Sequence, residues 1–255
     1  MGTFFKNLKL NVKISLLGVG SVLVTAMALV ALAVWQSGLY NLLSQNEVNE
    51  LIDSDLNHIA QGIYNLVQTE NEAVQQQLHN NLIVAHHVLA NAGEIRFSPE
   101  SISWHALNQI TDESTEIQLP KMCIGDRELG QNHDPAVETP IVDEIIQLVG
   151  GTATLFQRMN DQGDMIRIAT TIKTNDGQRA IGTYIPALDP NGSPNPVIAS
   201  ILKGDPYHGR AYVVNEWYLT AYEPIRTGTG DLVGMLYVGV QQKTVEARIR
   251  QAILN

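Results

Sequence analysis

The residues best suited to recognising a small molecule are concentrated between Lys203 and Ile225. This stretch contains two cationic side chains and four tyrosines: Lys203, Tyr207, Arg210, Tyr212, Tyr218 and Tyr222. A guanidinium can bind a carboxylate through two parallel charge-assisted hydrogen bonds, and tyrosine hydroxyls can complete the recognition. The residue types in this stretch therefore favour binding of a small carboxylate.

The pattern around these residues predicts a β-hairpin that would position them. Val213–Val214 and Trp217–Ile225 are rich in β-branched and aromatic residues, and Asn215–Glu216 interrupts them. Alternation along the second strand separates two faces: Trp217, Leu219 and Ala221 on one, Tyr218, Thr220 and Tyr222 on the other. The Tyr/Thr face suits either a polar cavity wall or ordinary half-buried sheet surface, and Trp217 is a candidate core residue.

Residues 14–35 carry no charged side chain, which is about the length that crosses a membrane as a helix. Lysines precede the segment and acidic residues follow it, so residues 1–13 are predicted to be cytoplasmic and the remainder exported. A cleaved signal peptide, processed near Ala31–Ala33, is the alternative, although the apolar run is longer than usual for one. Both interpretations export the rest of the chain.

A long amphipathic helix is predicted to follow, because apolar residues recur at steps of three, four and seven from Leu51 to Leu89. Residues 36–92 are assigned to a stalk and this helix. Residues 93–148 are interrupted by Gly and Pro and are predicted to be irregular. Within them we expect a short helix or turn at Ser98–Trp104, a short strand at Glu116–Pro120, and a helix from Pro140 or Ile141 to Leu148.

Residues 149–242 carry the alternation and turn signals of an antiparallel sheet. Strands are predicted at 152–159, 165–174, 180–185 and 232–240 in addition to the hairpin, with a loop at 186–196 and a short helix at 197–202. A helix preceding such a sheet defines an α+β, PAS-like fold. Residues 243–255 are expected to begin an exit helix.

Several segments, taken in order, resemble the extracytoplasmic Cache sensor domains of bacterial chemoreceptors, and in particular the single-Cache type-three/type-two fusion. The likeness covers roughly residues 40–242. It is carried by Trp104–Gln109, Leu119–Pro120, Val149–Arg158, Arg167–Thr170, Asp176–Thr183, Lys203–Gly204, Gly209–Arg210, Tyr222–Ile225 and Gly234–Val240.

The resemblance implies a ligand pocket beside the sheet and names the residues expected around it. These are Arg167, Tyr184, Lys203, Tyr207, Arg210, Tyr212, Tyr218 and Tyr222. Arg167 is equally suited to an ion pair with an Asp of a neighbouring turn, and Arg210 to fixing a loop. Thr170 and Arg167 can share a face only if their strand contains a bulge.

The resemblance also implies the partners and the location. We expect a small-molecule ligand, a homodimer formed through the long helix, and residence in the inner membrane with a periplasmic sensor domain. A methyl-accepting chemotaxis receptor would continue into cytoplasmic signalling domains, which this chain does not include. A histidine kinase or cyclase sensor and a stand-alone anchored binding protein are the alternatives.

Other function classes have little support in the sequence. The net charge of −10 and the lack of a basic stripe argue against nucleic acid as a partner. The single Cys123 permits no internal disulfide or CxxC motif. Adjacent His86 and His87 point about 100° apart on a helix, so they do not share one metal ion. Since no catalytic or nucleotide-binding motif occurs either, we expect no cofactor, no metal and no enzyme activity.

Overall fold

The computed structural model describes residues 10–254, without the side chains of 10–17, 41–44 and 46. Most of the predicted cytoplasmic segment, including Lys6 and Lys9, therefore lies outside the described residues. The chain divides into two compact units, Met1–Tyr64 and Asn65–Asn255.

Four helices and nine strands are described. The helices are α1 (Leu10–Ala92), α2 (Val142–Val149), α3 (Pro196–Lys203) and α4 (Gln242–Leu254). The strands are β1 (Ile95–Asn108), β2 (Ser114–Ile124), β3 (Arg127–Glu128), β4 (Thr152–Arg158), β5 (Met165–Thr170), β6 (Thr183–Ile185), β7 (Tyr207–Val213), β8 (Glu216–Arg226) and β9 (Leu232–Gln241).

The first unit is helical wherever it is described. Within it, Gly18–Tyr40 has a mean hydropathy of 2.1 and is long and apolar enough to cross a membrane. This segment overlaps the predicted span of 14–35. Further along the same helix, four apolar side chains recur at steps of four, three and four and are all solvent-exposed: Ile52, Leu56, Ile59 and Ile63.

The second unit is built on one nine-stranded sheet in the order β3-β2-β1-β6-β5-β4-β9-β8-β7. All neighbouring strands are antiparallel except β1 and β6, which pair in parallel over two residues. The predicted α+β fold, a long helix followed by a mostly antiparallel sheet, is confirmed. The predicted short helix 197–202 and final strand 232–240 are also confirmed, each one or two residues longer than expected.

The predicted short helix or turn at Ser98–Trp104 is wrong, because these residues belong to β1. Strands β1 and β2 form a long hairpin whose register shifts between Phe97 and Ser101. That irregularity accommodates Pro99, which cannot donate a ladder hydrogen bond. Beyond it, Trp104 and Ala106 are buried at alternate positions, as on any strand with one covered face.

The two faces of the sheet are covered by different elements. On one face, α1 and α2 pack in a single apolar cluster with β4, β5 and β9, and α1 contributes Val74, Leu78, Leu82, Ala85 and Leu89. On the other face, α3 packs on Phe156, Tyr222, Met235 and Tyr237. The second face therefore carries the predicted Tyr-rich surface, and it lies across the sheet from α1.

A bulge in β5 determines which side chains reach that second face. Leu155 pairs with Ala169 but Phe156 pairs with Arg167, so Ile168 is the extra residue. The bulge places Arg167 and Thr170 on the same face, and the Thr170 hydroxyl lies 2.6 Å from that of Thr154. The sequence showed that a bulge would be required for this arrangement but not that one is present.

The start of α3 is fixed by Asn195, whose side-chain oxygen accepts hydrogen bonds from the backbone N–H groups of Val197 and Ile198 at 3.1 and 3.4 Å. Pro196 occupies the first helical position, where its missing N–H costs nothing. At the other end, Gly204 adopts a φ of +89°, a left-handed conformation that terminates the helix. These signals set the two ends of α3, and Val197, Ile198 and Ile201 pack the helix on the sheet.

Candidate ligand-binding site

A cavity of about 240 Å³ lies at the Tyr-rich face, between the end of β1, the loop before α3, the first turn of α3 and the β7–β8 hairpin. This volume is below the usual 300–1,000 Å³ of pockets for drug-sized ligands, so it suits a small molecule. Its polar lining comprises Gln109, Asp189, Asn195, Tyr207, Arg210, Tyr212, Trp217 and Tyr222.

Arg167 lies behind this cavity and is completely buried. Its Nη1 donates to the hydroxyl of Thr183 at 2.7 Å, and its Nη2 donates to Oε1 of the cavity residue Gln109 at 2.8 Å. Its Nε–H has no hydrogen-bond partner in the described part of the chain. The guanidinium also stacks over the ring of Phe156, with 4.8 Å between Cζ and the ring centroid.

No described carboxylate forms an ion pair with Arg167. The alternative role of Arg167, an ion pair with an Asp of a neighbouring turn, is therefore wrong, and Asp164 instead binds Asn160 and the backbone N–H of Ala187. Burial lowers the pKa of Arg167 to about 10, partly offset by Tyr222, Tyr237 and Tyr218. The side chain is thus a buried cation at neutral pH whose partners are all neutral.

Tyr222 lies beside this cation and is also completely buried. Its ring packs against Tyr207, Tyr237 and Phe156, at centroid distances of 6.0, 5.0 and 6.4 Å. Its hydroxyl makes no hydrogen bond of good geometry with any described residue, although Thr220 lies near it. Burial raises the pKa of Tyr222, so the hydroxyl stays neutral and remains available to donate.

Four of the eight sequence-predicted site residues, Tyr207, Arg210, Tyr212 and Tyr222, line the cavity. Arg167 reaches it through Gln109. Tyr218 occupies the same sheet face but lies beyond the cavity, where its hydroxyl accepts a hydrogen bond from Gln241 at 3.1 Å.

Tyr184 and Lys203 do not join the others. Tyr184 lies on β6 with its side chain on the opposite face of the sheet from the cavity. There it packs against the apolar cluster that includes α1. Lys203 is exposed in the last turn of α3, where a cation favours the negative end of the helix dipole.

Trp217 is not a core residue as its strand face suggested. It is 45% exposed, stacks edge-on against Tyr212 at 5.5 Å, and carries the Arg210 guanidinium 3.8 Å from its ring centroid. Arg210 also donates from Nε to Gln242 Oε1 at 2.6 Å. The mouth of the cavity is therefore an aromatic and cationic rim at the edge of the sheet.

Gln109, Asp189 and Asn195 are cavity residues that the sequence did not single out as ligand-binding. Gln109 ends a family-like segment, and Asn195 precedes a proline at a helix start, so both had a weak signal. Asp189 lies in the loop, where its carboxylate accepts a hydrogen bond from Asn195 at 3.0 Å. Only the fold brings Gln109, Asp189 and Asn195 together in one cavity lining.

Comparison with known proteins gives one family. The family model described as the Cache 3/Cache 2 fusion domain matches residues 42–255. No curated protein matches the chain. Among solved structures, the sensor domain of E. coli DcuS aligns at 14% identity over 43% of this chain and 70% of that one, with a TM-score of 0.27. This structural likeness is too distant to say anything about the ligand.

Proposed function

This chain belongs to the Cache 3/Cache 2 fusion domain family, and we propose that it is the extracytoplasmic ligand-sensing portion of a membrane-anchored receptor that binds a small carboxylate. The observation that carries the ligand class is Arg167. Among the described residues, this buried guanidinium has one unpaired N–H and no anionic partner, and it reaches the cavity through its hydrogen bond to the lining residue Gln109.

The carboxylate would supply the anionic partner that no described side chain gives Arg167. Burying an unpaired charge is costly, and the cost is recovered when an anion with matching geometry arrives. The second donor is the Tyr222 hydroxyl, which is buried, neutral and free of a well-formed hydrogen bond. Gln109 would exchange its contact with Arg167 for one with the ligand, or bridge the two.

A ligand at Arg167 would act on α1 through β5. Arg167 alternates with Ile166 and Ile168, which pack in the same apolar cluster as Leu78, Leu82 and Ala85 of α1. A small shift of β5 on binding would therefore be felt on the opposite face by the helix that continues towards the apolar segment. The ligand would shift the protein between two arrangements of that helix if it binds one of them more tightly. The size of the shift is set by the difference between its affinities for the two arrangements.

The ligand class can be tested on the full chain in detergent micelles with a panel of mono-, di- and tricarboxylates, amino acids and amines. A ligand at about 100 times its dissociation constant should stabilise the fold by roughly 2.7 kcal/mol, or about 5–10 °C. Amines probe whether Asp189, the one acidic residue in the cavity lining, dominates instead. A panel without any carboxylate shift would overturn the proposal.

We propose that the receptor signals to chemotaxis, because the sequence motifs resemble those of chemoreceptor sensor domains. The coding sequence downstream of codon 255 decides this point. A HAMP linker and a glutamate-rich coiled coil would support chemotaxis, whereas a kinase or cyclase domain would replace it.

We also propose that two copies associate through α1 of the first unit. Ile52, Leu56, Ile59 and Ile63 form an exposed apolar stripe at the spacing of a coiled-coil seam. Replacing Ile59 with glutamate should convert a dimer into a monomer, because it places a charge in the seam, whereas Asn57→Glu on the neighbouring face should not. Sedimentation in detergent measures both, and a wild-type monomer would refute the association.

A further inference from the structure

A second cavity, of about 300 Å³, lies away from the carboxylate site, between α1 and the β7–β8 hairpin. Four of the seven histidines in the chain line it: His79, His86 and His87 from α1, and His208 from β7. Glu223 of β8 completes its polar lining. All four histidines are exposed, so the groove is open to solvent and to small ions.

Two pairs of side chains, one of two imidazoles and one of an imidazole and a carboxylate, span the groove. The rings of His79 and His208 have centroids 6.5 Å apart, and Nδ1 of His86 lies 3.5 Å from Oε2 of Glu223. His208 pairs with Ala221, two residues before Glu223 on β8, so the two pairs follow one another along the groove. Each pair therefore joins a side chain of α1 to one of the sheet.

We propose that this groove binds a divalent transition-metal ion such as Zn²⁺, with His79 and His208 as its protein ligands. Imidazole nitrogen is a preferred donor for zinc, copper and nickel, whereas magnesium and calcium prefer oxygen. The sequence argued against a metal because His86 and His87 diverge on one helix. The fold changes that conclusion because it supplies a facing histidine from the sheet.

The geometry is close to what one ion requires. With metal–nitrogen distances of about 2.0–2.1 Å, two imidazoles on one ion have ring centroids roughly 5–6 Å apart. Bringing the observed 6.5 Å between His79 and His208 into that range would require rotation of the two side chains, both of which are exposed. No three described His, Cys, Asp or Glu side chains converge on one point, so water would fill the remaining coordination positions.

The consequence would be a link between α1 and the edge of the sheet. An ion held by one ligand from each element resists their relative displacement, and this is the displacement that a ligand-driven signal through α1 would use. The groove is separate from the cavity next to Arg167, so the metal site stands whether or not the carboxylate proposal holds.

The test is calorimetric titration of the full chain, without a polyhistidine tag and in detergent micelles, with ZnCl₂ and with MgCl₂. We expect one Zn²⁺ per chain and no Mg²⁺ binding. His79→Gln and His208→Gln should each weaken Zn²⁺ binding by at least about tenfold, since losing even a group that supports a ligand commonly costs ten- to a hundredfold. His105→Gln should bind as wild type, because His105 is another exposed histidine, 2.8 Å from Glu116 on the β1–β2 hairpin.

Four results would overturn the assignment. These are no Zn²⁺ binding by the wild type, unchanged binding in both His79→Gln and His208→Gln, one ion per two chains, or loss only in His86→Gln and Glu223→Gln. The Tm of each variant without zinc shows whether a loss reflects unfolding. Since the substituted histidines are exposed and Glu223 is partly exposed, we expect those Tm values to match the wild type.

Discussion

Replacing Arg167 with methionine should abolish the response to carboxylates while leaving the ligand-free protein at least as stable as the wild type. The guanidinium is buried, no described side chain serves as its counter-ion, and its desolvation is the dominant influence on its pKa. An unbranched apolar side chain removes that cost and preserves most of the volume. Thr183 keeps its hydrogen bond to the carbonyl of Ala180, and Gln109 is partly exposed to water.

The loss of binding should be large because the contact is charged and buried. Truncating one partner of such a pair costs about 2–5 kcal/mol, which corresponds to a Kd weakened by roughly 30-fold or more. Thermal shift of the full chain in detergent measures both effects. Arg158→Met is the matched control, since the only hydrogen bonds of the Arg158 side chain to described residues go to the backbone carbonyls of Asn160 and Asp161. A carboxylate shift retained in Arg167→Met would contradict the proposal, as would strong destabilisation.

The pH dependence of binding gives a second measure of the same residue. Burial lowers the pKa of Arg167 to about 10, so the guanidinium is protonated at neutral pH and loses its charge as the pH rises through that value. Carboxylate affinity should therefore be constant from about pH 7 to 9 and fall above about pH 10. An affinity still unchanged near pH 11 would show that another group binds the anion.

The sequence predicted those elements whose local pattern agrees with their tertiary surroundings. Val74, Leu78, Leu82 and Ala85 follow the helical period, and the helix does bury that face. Asn195 and Pro196 begin α3 as their types favour. The β7–β8 hairpin was also found, although β7 begins six residues earlier than Val213, because Tyr207–Tyr212 pair residue by residue with Trp217–Tyr222 of β8.

The β1–β2 hairpin was predicted only in part: the strand expected at Glu116–Pro120 lies within β2, but β1 was missed because prolines dominated the interpretation. Pro99 and Pro120 interrupt the alternation, yet the ladder continues around them through a register shift. Ile102, Trp104 and Ala106 did carry a period of two, which was a sufficient signal for a strand. The interpretation gave the prolines more weight than the alternation of apolar residues, although here the alternation was the better predictor of a strand.

The site was predicted less completely than the fold because a cavity depends on which faces are brought together. A one-residue bulge at Ile168 places Arg167 and Thr170 on the same face of the sheet. An isoleucine at that position does not by itself indicate a bulge. Tyr184 has the right chemistry but the wrong strand phase, whereas Gln109 is 58 residues from Arg167 in the chain. Such contacts become visible only with the sheet order.

Removing the carboxylate of Asp143 should cause the largest loss of stability among single substitutions of charged residues in α2. The Asp143 carboxylate accepts hydrogen bonds from both terminal nitrogens of Arg179, at 2.8 and 2.7 Å, and from the backbone N–H of Thr139 at 2.8 Å. Arg179 further donates to the carbonyls of Thr170, Val137 and Asp134. The buried Asp143–Arg179 pair thus links α2 and the loop that contains Asp134 and Val137 to β5.

Asp143→Ala should destabilise the fold by about 3–5 kcal/mol, because the substitution leaves the Arg179 cation buried without its counter-ion. The next residue supplies a matched control. Glu144 pairs with Arg127 at 3.3 Å, but both side chains are nearly half exposed. Exposed ion pairs contribute about 0–1 kcal/mol, so Glu144→Ala should have little effect.

Thermal unfolding of the full chain, followed by near-UV circular dichroism, separates the two outcomes. At about 2–4 °C per kcal/mol for a chain of this size, Asp143→Ala should lower Tm by roughly 6–20 °C and Glu144→Ala by less than about 4 °C. Equal shifts would mean that the buried pair contributes no more than a surface one. In that case α2 would be held by Ile141, Val142 and Ile145 in the apolar cluster rather than by the Asp143–Arg179 pair.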